Sequence, residues 1–320
     1  MNKGRQFWIK CLIVATAIFL ADRGIGSLLQ HYYAKIHSGE QGRLTYVIDS
    51  VHTPILVLGT SRAAHHYVSD LIADSFHRSC YNAGKDKQGL FYQQAVLATI
   101  LRRYHPSYIL LDLSPIAFAP SEADPDELSV LLPYYTRYPE IRAALRKKSP
   151  WEPVKTLSTL YRYNSLCLQV AFDILSRRED TSIHNGYIPN DQSLTPPWST
   201  PYTTDQTTAT PDSALVNSFQ AIIRLARQQD CRLAVVVSPL FFRPDSSTSS
   251  IRLAAEVCRR NNIPFLDYTR QSSFNQHPGL FSDEQHLDHT GALLFSSLLC
   301  KDLQKTGFLT KYETPSIRYH

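Results

Sequence analysis

Short apolar runs alternate with helix-like stretches along much of this chain, and that rhythm restricts the fold more than any other feature. Runs at 55–58, 79–82, 108–112, 233–237 and 263–267 read as strands. Ile55-Leu56-Val57-Leu58 and Leu233-Ala234-Val235-Val236-Val237 hold no polar residue, which suits strands covered on both faces. Segments 63–76, 88–104, 214–229 and 250–261 look helical. Leu90, Val96, Leu97, Ile100 and Leu101 carry the helical stripe in the second of them. Strands separated by helices pair in parallel through right-handed crossovers. The expected fold is α/β: a three-layer α/β/α sandwich on a mostly parallel five-stranded sheet. Ligand-facing groups then gather at the carboxyl edge of the strands.

The first strand runs into Gly59-Thr60-Ser61-Arg62. Gly59 permits a sharp turn out of the sheet. Ser61 then has its hydroxyl in the crevice and its own N–H aimed at whatever binds, a nucleophile position. A turn with a capping serine fits the same residues. Far downstream, Asp283 stands three residues before His286. On one helical turn Asp283 can accept from Nδ1–H of His286, leaving the other nitrogen to take a proton from a serine. The rival assignment makes Asp283 the cap of a helix over 285–304, with a solvent-facing histidine. His65 and His66 follow Ser61 closely. On a helix His65 lies about one turn from Ser61 and lines the pocket, unless both are surface histidines. Asp112 ends the third strand, facing the crevice or capping the next turn. A metal hydrolase built from Asp283, His286 and His289 with His65 or His66 is a further option, though no second clear ligand pair accompanies it.

Over roughly residues 52–118 and 214–305 the chain resembles the SGNH (GDSL-like) hydrolase superfamily. The serine after the first strand and the Asp-x-x-His near the C-terminus carry the resemblance, together with Tyr81-Asn82-Ala83-Gly84 after the second strand. It implies a flavodoxin-like SGNH fold and a triad of Ser61, His286 and Asp283. It also implies that Gly84 supplies a backbone N–H to an oxyanion hole, where the lack of a Cβ allows close approach. The first block departs from the common Gly-Asp-Ser form. The usual Gly-x-Asn-Asp block is missing, and Leu111-Asp112-Leu113-Ser114-Pro115 stands in its place. Asn82 is the candidate substitute for that asparagine. Arg62, Asp112 and His65 complete the residues expected around the substrate. The chain looks closest to the membrane-anchored branch, similar to D-alanine-transfer (DltD-like) and alginate-acetylation proteins. That implies acyl esters of cell-envelope or lipid-linked glycans as substrates, no cofactor or metal, and a membrane-bound acyltransferase as a partner.

Between about 118 and 211 the strand–helix rhythm breaks. Residues 128–138 and 151–175 look helical. Residues 185–211 are rich in Gly, Pro, Ser and Thr and read as a long loop, suited to a lid or specificity element. Tyr134, Tyr135, Tyr138, Tyr161, Tyr163 and Trp198 either offer stacking faces to sugar rings or form core.

Lys3, Arg5 and Lys10 precede an apolar run over 11–21. Phe7, Trp8 and Ile9 extend that run, and Lys10 can snorkel. Positive charge upstream places the N-terminus in the cytoplasm and the rest outside, in the periplasm. A cleaved signal peptide, with no convincing small-x-small site after the run, and a buried helix of a soluble protein are the rivals. The expected organisation is an anchor over 1–35, an SGNH-like domain over 45–310 with its insertion at 118–211, and a tail over 311–320. Lys and Arg number 33 against 28 Asp and Glu, a net charge of +5. So mild an excess, without a basic stripe interleaved with aromatics, points away from nucleic acid. The six cysteines are scattered beside apolar residues and look like small buried hydrophobes rather than a disulfide scaffold. One bridge remains compatible with an extracytoplasmic domain.

Overall fold

Five strands form one parallel sheet: β1 (Ile55–Leu58), β2 (Cys80–Asn82), β3 (Tyr108–Asp112), β4 (Arg232–Val237) and β5 (Phe265–Asp267). Their order is β2-β1-β3-β4-β5. Ile55 lies opposite Cys80 on one side and Tyr108 on the other. The chain therefore leaves β1 in one direction and returns beyond it in the other, so the switch point falls between β1 and β3. A crevice opens at such a point, outside the carboxyl ends of the strands. The computed structural model describes residues 3–166, 185–191, 203–241 and 248–310.

Every residue of β1 and β3 is buried. Alternate residues Ile55, Val57, Tyr108, Leu110, Ala234 and Val236 share a core with Ile72, Phe76, Phe295 and Leu299 of helices Ser69–Phe76 and His289–Lys305. The intervening residues face the opposite layer, because strand side chains alternate. Helices Leu90–Ile100 and Ser213–Gln228 bring Val96, Leu97, Phe219 and Ile222 to the core as buried residues. The sheet with helices on both faces is the α/β architecture expected above.

Two helices that pack on the sheet differ from expectation. The segment over 63–76 is broken into Ser61–His66 and Ser69–Phe76. Asn82 Nδ2 captures the carbonyls of Ala63 and Tyr67 at 2.7 and 2.9 Å. Val68 N–H is drawn to Ser296 Oγ at 2.9 Å instead of an upstream carbonyl. The last helix begins at His289, where Asp288 caps it by accepting from Gly291 N–H at 2.7 Å. Asp283 is therefore not a helix cap.

The chain falls into two compact units, residues 1–45 with 125–180 and residues 46–124 with 181–320. The first contains helix Lys3–Tyr33, the 3₁₀ segments Pro125–Tyr134 and Tyr161–Leu166, and helix Pro139–Lys148. The helix expected over 128–138 is 3₁₀ instead, with Pro133 inside it removing an amide donor. Tyr134 OH meets Tyr33 OH at 3.0 Å and Thr45 Oγ1 at 2.8 Å. The ring of Tyr163 packs 5.6 Å from that of Tyr33. Tyr134 and Tyr163 are buried core residues, so they offer no face to a sugar. Of the helix expected over 151–175, the described part holds one α-turn, Glu152–Lys155, and the 3₁₀ segment Tyr161–Leu166; residues 167–175 and Trp198 lie outside the described residues. The described cysteines are free: Cys11 is exposed, and Cys80, Cys231, Cys258 and Cys300 are buried.

Candidate active site

Gly59 takes a φ of +151°, a conformation that side chains disfavour, and a Cβ there would stand 2.6 Å from that of Ala63. Gln93 Nε2 donates to the Gly59 carbonyl at 2.6 Å and pins the turn. Ser61 then opens helix Ser61–His66, with Thr60 as its cap. Ser61 Oγ lies 2.7 Å from His286 Nε2. His286 Nδ1 lies 2.8 Å from Asp283 Oδ2 and 2.9 Å from Oδ1. An ionised carboxylate only accepts, so Nδ1 carries the proton and Nε2 is left to accept from the serine hydroxyl. Beside the Gly59 turn opens a small cleft lined in part by Thr60, Leu90, Gln93, Leu113 and Ser114.

Asp283 and His286 sit in a tight turn before the helix, not on a helical turn. Asp283 Oδ1 accepts from the N–H groups of Gln285 and His286, both at 2.8 Å. A bridge between Phe281 and Leu287 closes the turn. Burial works to raise the Asp283 pKa, but the bonds from His286 and the two N–H groups outweigh it and hold the carboxyl below its usual range.

His66 lies wholly inside the protein. Its Nε2 accepts from Leu287 N–H at 3.0 Å, and its Nδ1 donates to Ser238 Oγ at 2.9 Å. A neutral imidazole thus ties the nucleophile's helix to the residue next to His286. Burial, then the charge of Arg62, pushes His66 well below the usual imidazole range. The unfolded chain protonates it near pH 6.5, so in acid the unfolded state binds the extra proton first. The contribution to stability is complete above about pH 6.5 and declines as pH falls, by up to ~1.4 kcal/mol per unit. His66→Gln is expected to flatten this acid limb, measured as denaturant unfolding between about pH 5 and 7.

Arg62 and Asp112, expected at the substrate, are both buried. Arg62 Nη2 donates to the carbonyl of Ser238 and, at 2.9 Å, to its Oγ. Its Nε stands 3.8 Å from Asp112 Oδ2. Asp112 Oδ1 accepts from Tyr67 OH at 2.7 Å and from Ser238 N–H at 3.2 Å. Burial raises the Asp112 pKa, against the opposing pull of Arg62 and these bonds. The two charges stitch β1, β3 and β4 together at their carboxyl ends. Arg62→Met, which strands the carboxylate, is expected to cost roughly 3–5 kcal/mol in denaturant unfolding.

The second strand's loop also differs from expectation. Asn82 is wholly buried. With Nδ2 held by the two helix carbonyls, its Oδ1 accepts from Gly84 N–H at 3.0 Å. Both groups expected as oxyanion donors thus bond inward. Glycine is required at 84 by packing, since a Cβ would meet Ala64 N at 2.4 Å. His65 does reach the site: its ring lies 5.7 Å from that of His286. Its Nδ1 donates to the Ile188 carbonyl at 2.9 Å, and its Nε2 stands 3.6 Å from Asp86 Oδ1. The nearby His65 ring holds the Asp86 carboxyl below its usual range, against partial burial.

Residues 185–191, the first part of the loop read over 185–211, form a strap across the site whose bonds the sequence does not show. Ile188 N–H donates to Ala64 O at 3.0 Å, His289 N–H to Asn190 O at 2.8 Å, and Asn190 Nδ2 to Ser282 Oγ at 2.7 Å. Most of these bonds run through the main chain and leave no residue signature. Among the described residues no group of three or more His, Cys, Asp or Glu could hold a metal ion. His289 Nδ1 instead meets Tyr187 OH at 2.9 Å.

These features define an α/β protein with a Ser-His-Asp hydrogen-bond relay at the carboxyl edge of a parallel sheet. The chain is similar in structure to a protein from Desulfitobacterium hafniense assigned to the G-D-S-L lipolytic family, at 9% identity and a TM-score of 0.41, over 77% of this chain and 97% of that one. It is also similar to a lipase/acylhydrolase from Enterococcus faecalis, at 11% identity and a TM-score of 0.40, over 81% and 99%. No family model matches the sequence, and no curated protein matches it.

Proposed function

We propose that this chain is a membrane-anchored, extracytoplasmic serine esterase or O-acyltransferase of SGNH type, acting on acyl esters of cell-envelope glycans. The observation that carries the catalytic part is the 2.7 Å approach of Ser61 Oγ to a His286 whose other nitrogen is held by Asp283. In this mechanism Ser61 Oγ attacks the ester carbonyl while His286 Nε2 takes its proton. Asp283 fixes the tautomer and stabilises the imidazolium. The oxyanion faces the N–H of Ser61, which opens its helix and has no intrahelical acceptor. His286 returns the proton to the departing alcohol. Water or a sugar hydroxyl then attacks the acyl-serine, with His286 again as base. Which one attacks sets hydrolase against transferase.

The substrate class rests on the family resemblance and on the apolar helix Lys3–Tyr33, whose most apolar window has a mean hydropathy of 1.7. The basic residues before that window support an N-terminus in the cytoplasm. A membrane-bound acyltransferase is the partner that suits such a site. A second reading, a non-catalytic SGNH-fold protein that binds or assembles envelope polysaccharide, is favoured by one observation: Gly84 N–H and Asn82 bond to their own loop and helix. Detergent-purified full-length protein given short-chain aryl esters, with and without an acetylated glycan, separates the two. The enzyme predicts a burst of alcohol release and acyl-serine, with turnover raised by the acceptor if it is a transferase. A folded protein that binds the glycan but releases no alcohol favours the second reading.

A further inference from the structure

Arg23 and Asp22, the first charges after the apolar run, are clasped by a loop within the same unit. Arg23 donates to Thr159 Oγ1 at 2.6 Å and to the Leu157 carbonyl at 2.7 Å. Asp22 accepts from Ser158 Oγ and from the N–H groups of Thr159 and Leu160 at 2.9 and 3.1 Å. Four residues on, Gly26 packs so closely that a Cβ would stand 2.6 Å from Thr159. The loop is thus fastened where the apolar helix reaches its first charges.

Next to this clasp, Trp151, Val154 and Leu157 are 68, 58 and 67% exposed. Val154 N–H donates to Trp151 O at 3.0 Å and Leu157 N–H to Val154 O at 3.1 Å. Three residues apart on successive tight turns, the three side chains share a face. Close in sequence lie Lys155, paired with Glu152 at 3.0 Å, and the run Arg146-Lys147-Lys148, whose Lys148 pairs with Asp126 at 3.3 Å. A tryptophan, an aliphatic pair and neighbouring lysines form the residue set that partitions into the headgroup layer of an anionic bilayer.

We infer that the Trp151, Val154 and Leu157 face is a second membrane contact, seated in the interfacial layer of the bilayer that the N-terminal helix crosses. This rests on reading Lys3–Tyr33 as a membrane span. The partner is lipid because the patch adjoins, through the Asp22 and Arg23 clasp, a helix whose apolar side chains Leu12, Ile13, Ile18 and Leu20 are themselves exposed. The consequence is a fixed orientation of this unit on the membrane rather than a free tether.

The chain has three tryptophans, so single-tryptophan proteins report separate sites. Trp8→Phe with Trp198→Phe leaves Trp151. Trp151→Phe with Trp198→Phe leaves Trp8. Each full-length protein is placed in nanodiscs of anionic lipid brominated at shallow acyl positions. An interfacial face sits roughly 5–10 Å into the headgroup–acyl boundary, so emission from Trp151 is expected to fall by about half or more. Val154→Asp with Leu157→Asp is expected to abolish that quenching while Trp8 stays quenched. Quenched Trp8 with unquenched Trp151 would overturn the inference, leave the anchor standing and assign the patch to a protein partner. Unquenched Trp8 would remove the anchor and the inference with it.

Discussion

Ser61→Ala is expected to lower ester turnover by about a millionfold while leaving the protein folded. The Ser61 hydroxyl has one bond partner among the described side chains, His286 Nε2, and sits at the mouth of the crevice, not in the core. Loss of such a group costs within about 0.5 kcal/mol of stability. The chemistry loses its only route to an acyl-enzyme. His286→Ala is expected to fall as far, because the serine and its base act as one unit. The double variant should be no slower than either single one. Steady-state turnover of an aryl ester, with denaturant unfolding of the same samples, measures both parts. Turnover in Ser61→Ala within tenfold of the parent would exclude a serine mechanism.

Asp283→Asn carries the second large effect, a loss of about 10⁴-fold in kcat with KM little changed. The amide keeps an oxygen for the N–H groups of Gln285 and His286, which now hold Asp283 Oδ1 at 2.8 Å, so the turn survives. Its NH₂ then faces His286 Nδ1 and donates where the carboxylate accepted. The imidazole answers by moving its proton to Nε2, the nitrogen that must accept from Ser61. The loss is therefore one of tautomer rather than position. Nitrogen chemical shifts of His286 should report the swap directly. Unchanged shifts with reduced turnover would place the role of Asp283 elsewhere.

The strands were legible because each is a short apolar run, and burial on both faces is written into Ile55–Leu58 and Tyr108–Asp112 residue by residue. Ser61, Asp283 and His286 could be picked out from a strand–turn register and a three-residue spacing, helped by the family resemblance. What failed had a common cause. Arg62 follows the nucleophile, Asp112 ends a strand at the crevice, and the family resemblance implied an oxyanion role for Asn82 and Gly84. The side chains of Arg62, Asp112 and Asn82 instead point into the protein, where a buried group must find partners and so fixes the framework. His66 belongs with them, while its neighbour His65 faces the site. One residue's difference along a helix, about 100°, separates the two roles. The break at Tyr67 and the strap over 185–191 depend on backbone bonds to distant segments, which no local pattern reports.

The measurement that bears most directly on this account is reaction of the detergent-purified full-length protein with a fluorophosphonate probe, followed by peptide mapping. A serine activated by His286 gives one labelled residue, Ser61, at a stoichiometry approaching one per chain, with labelling lost in His286→Ala. A folded protein that takes no label at Ser61, or takes it equally well without His286, would contradict it.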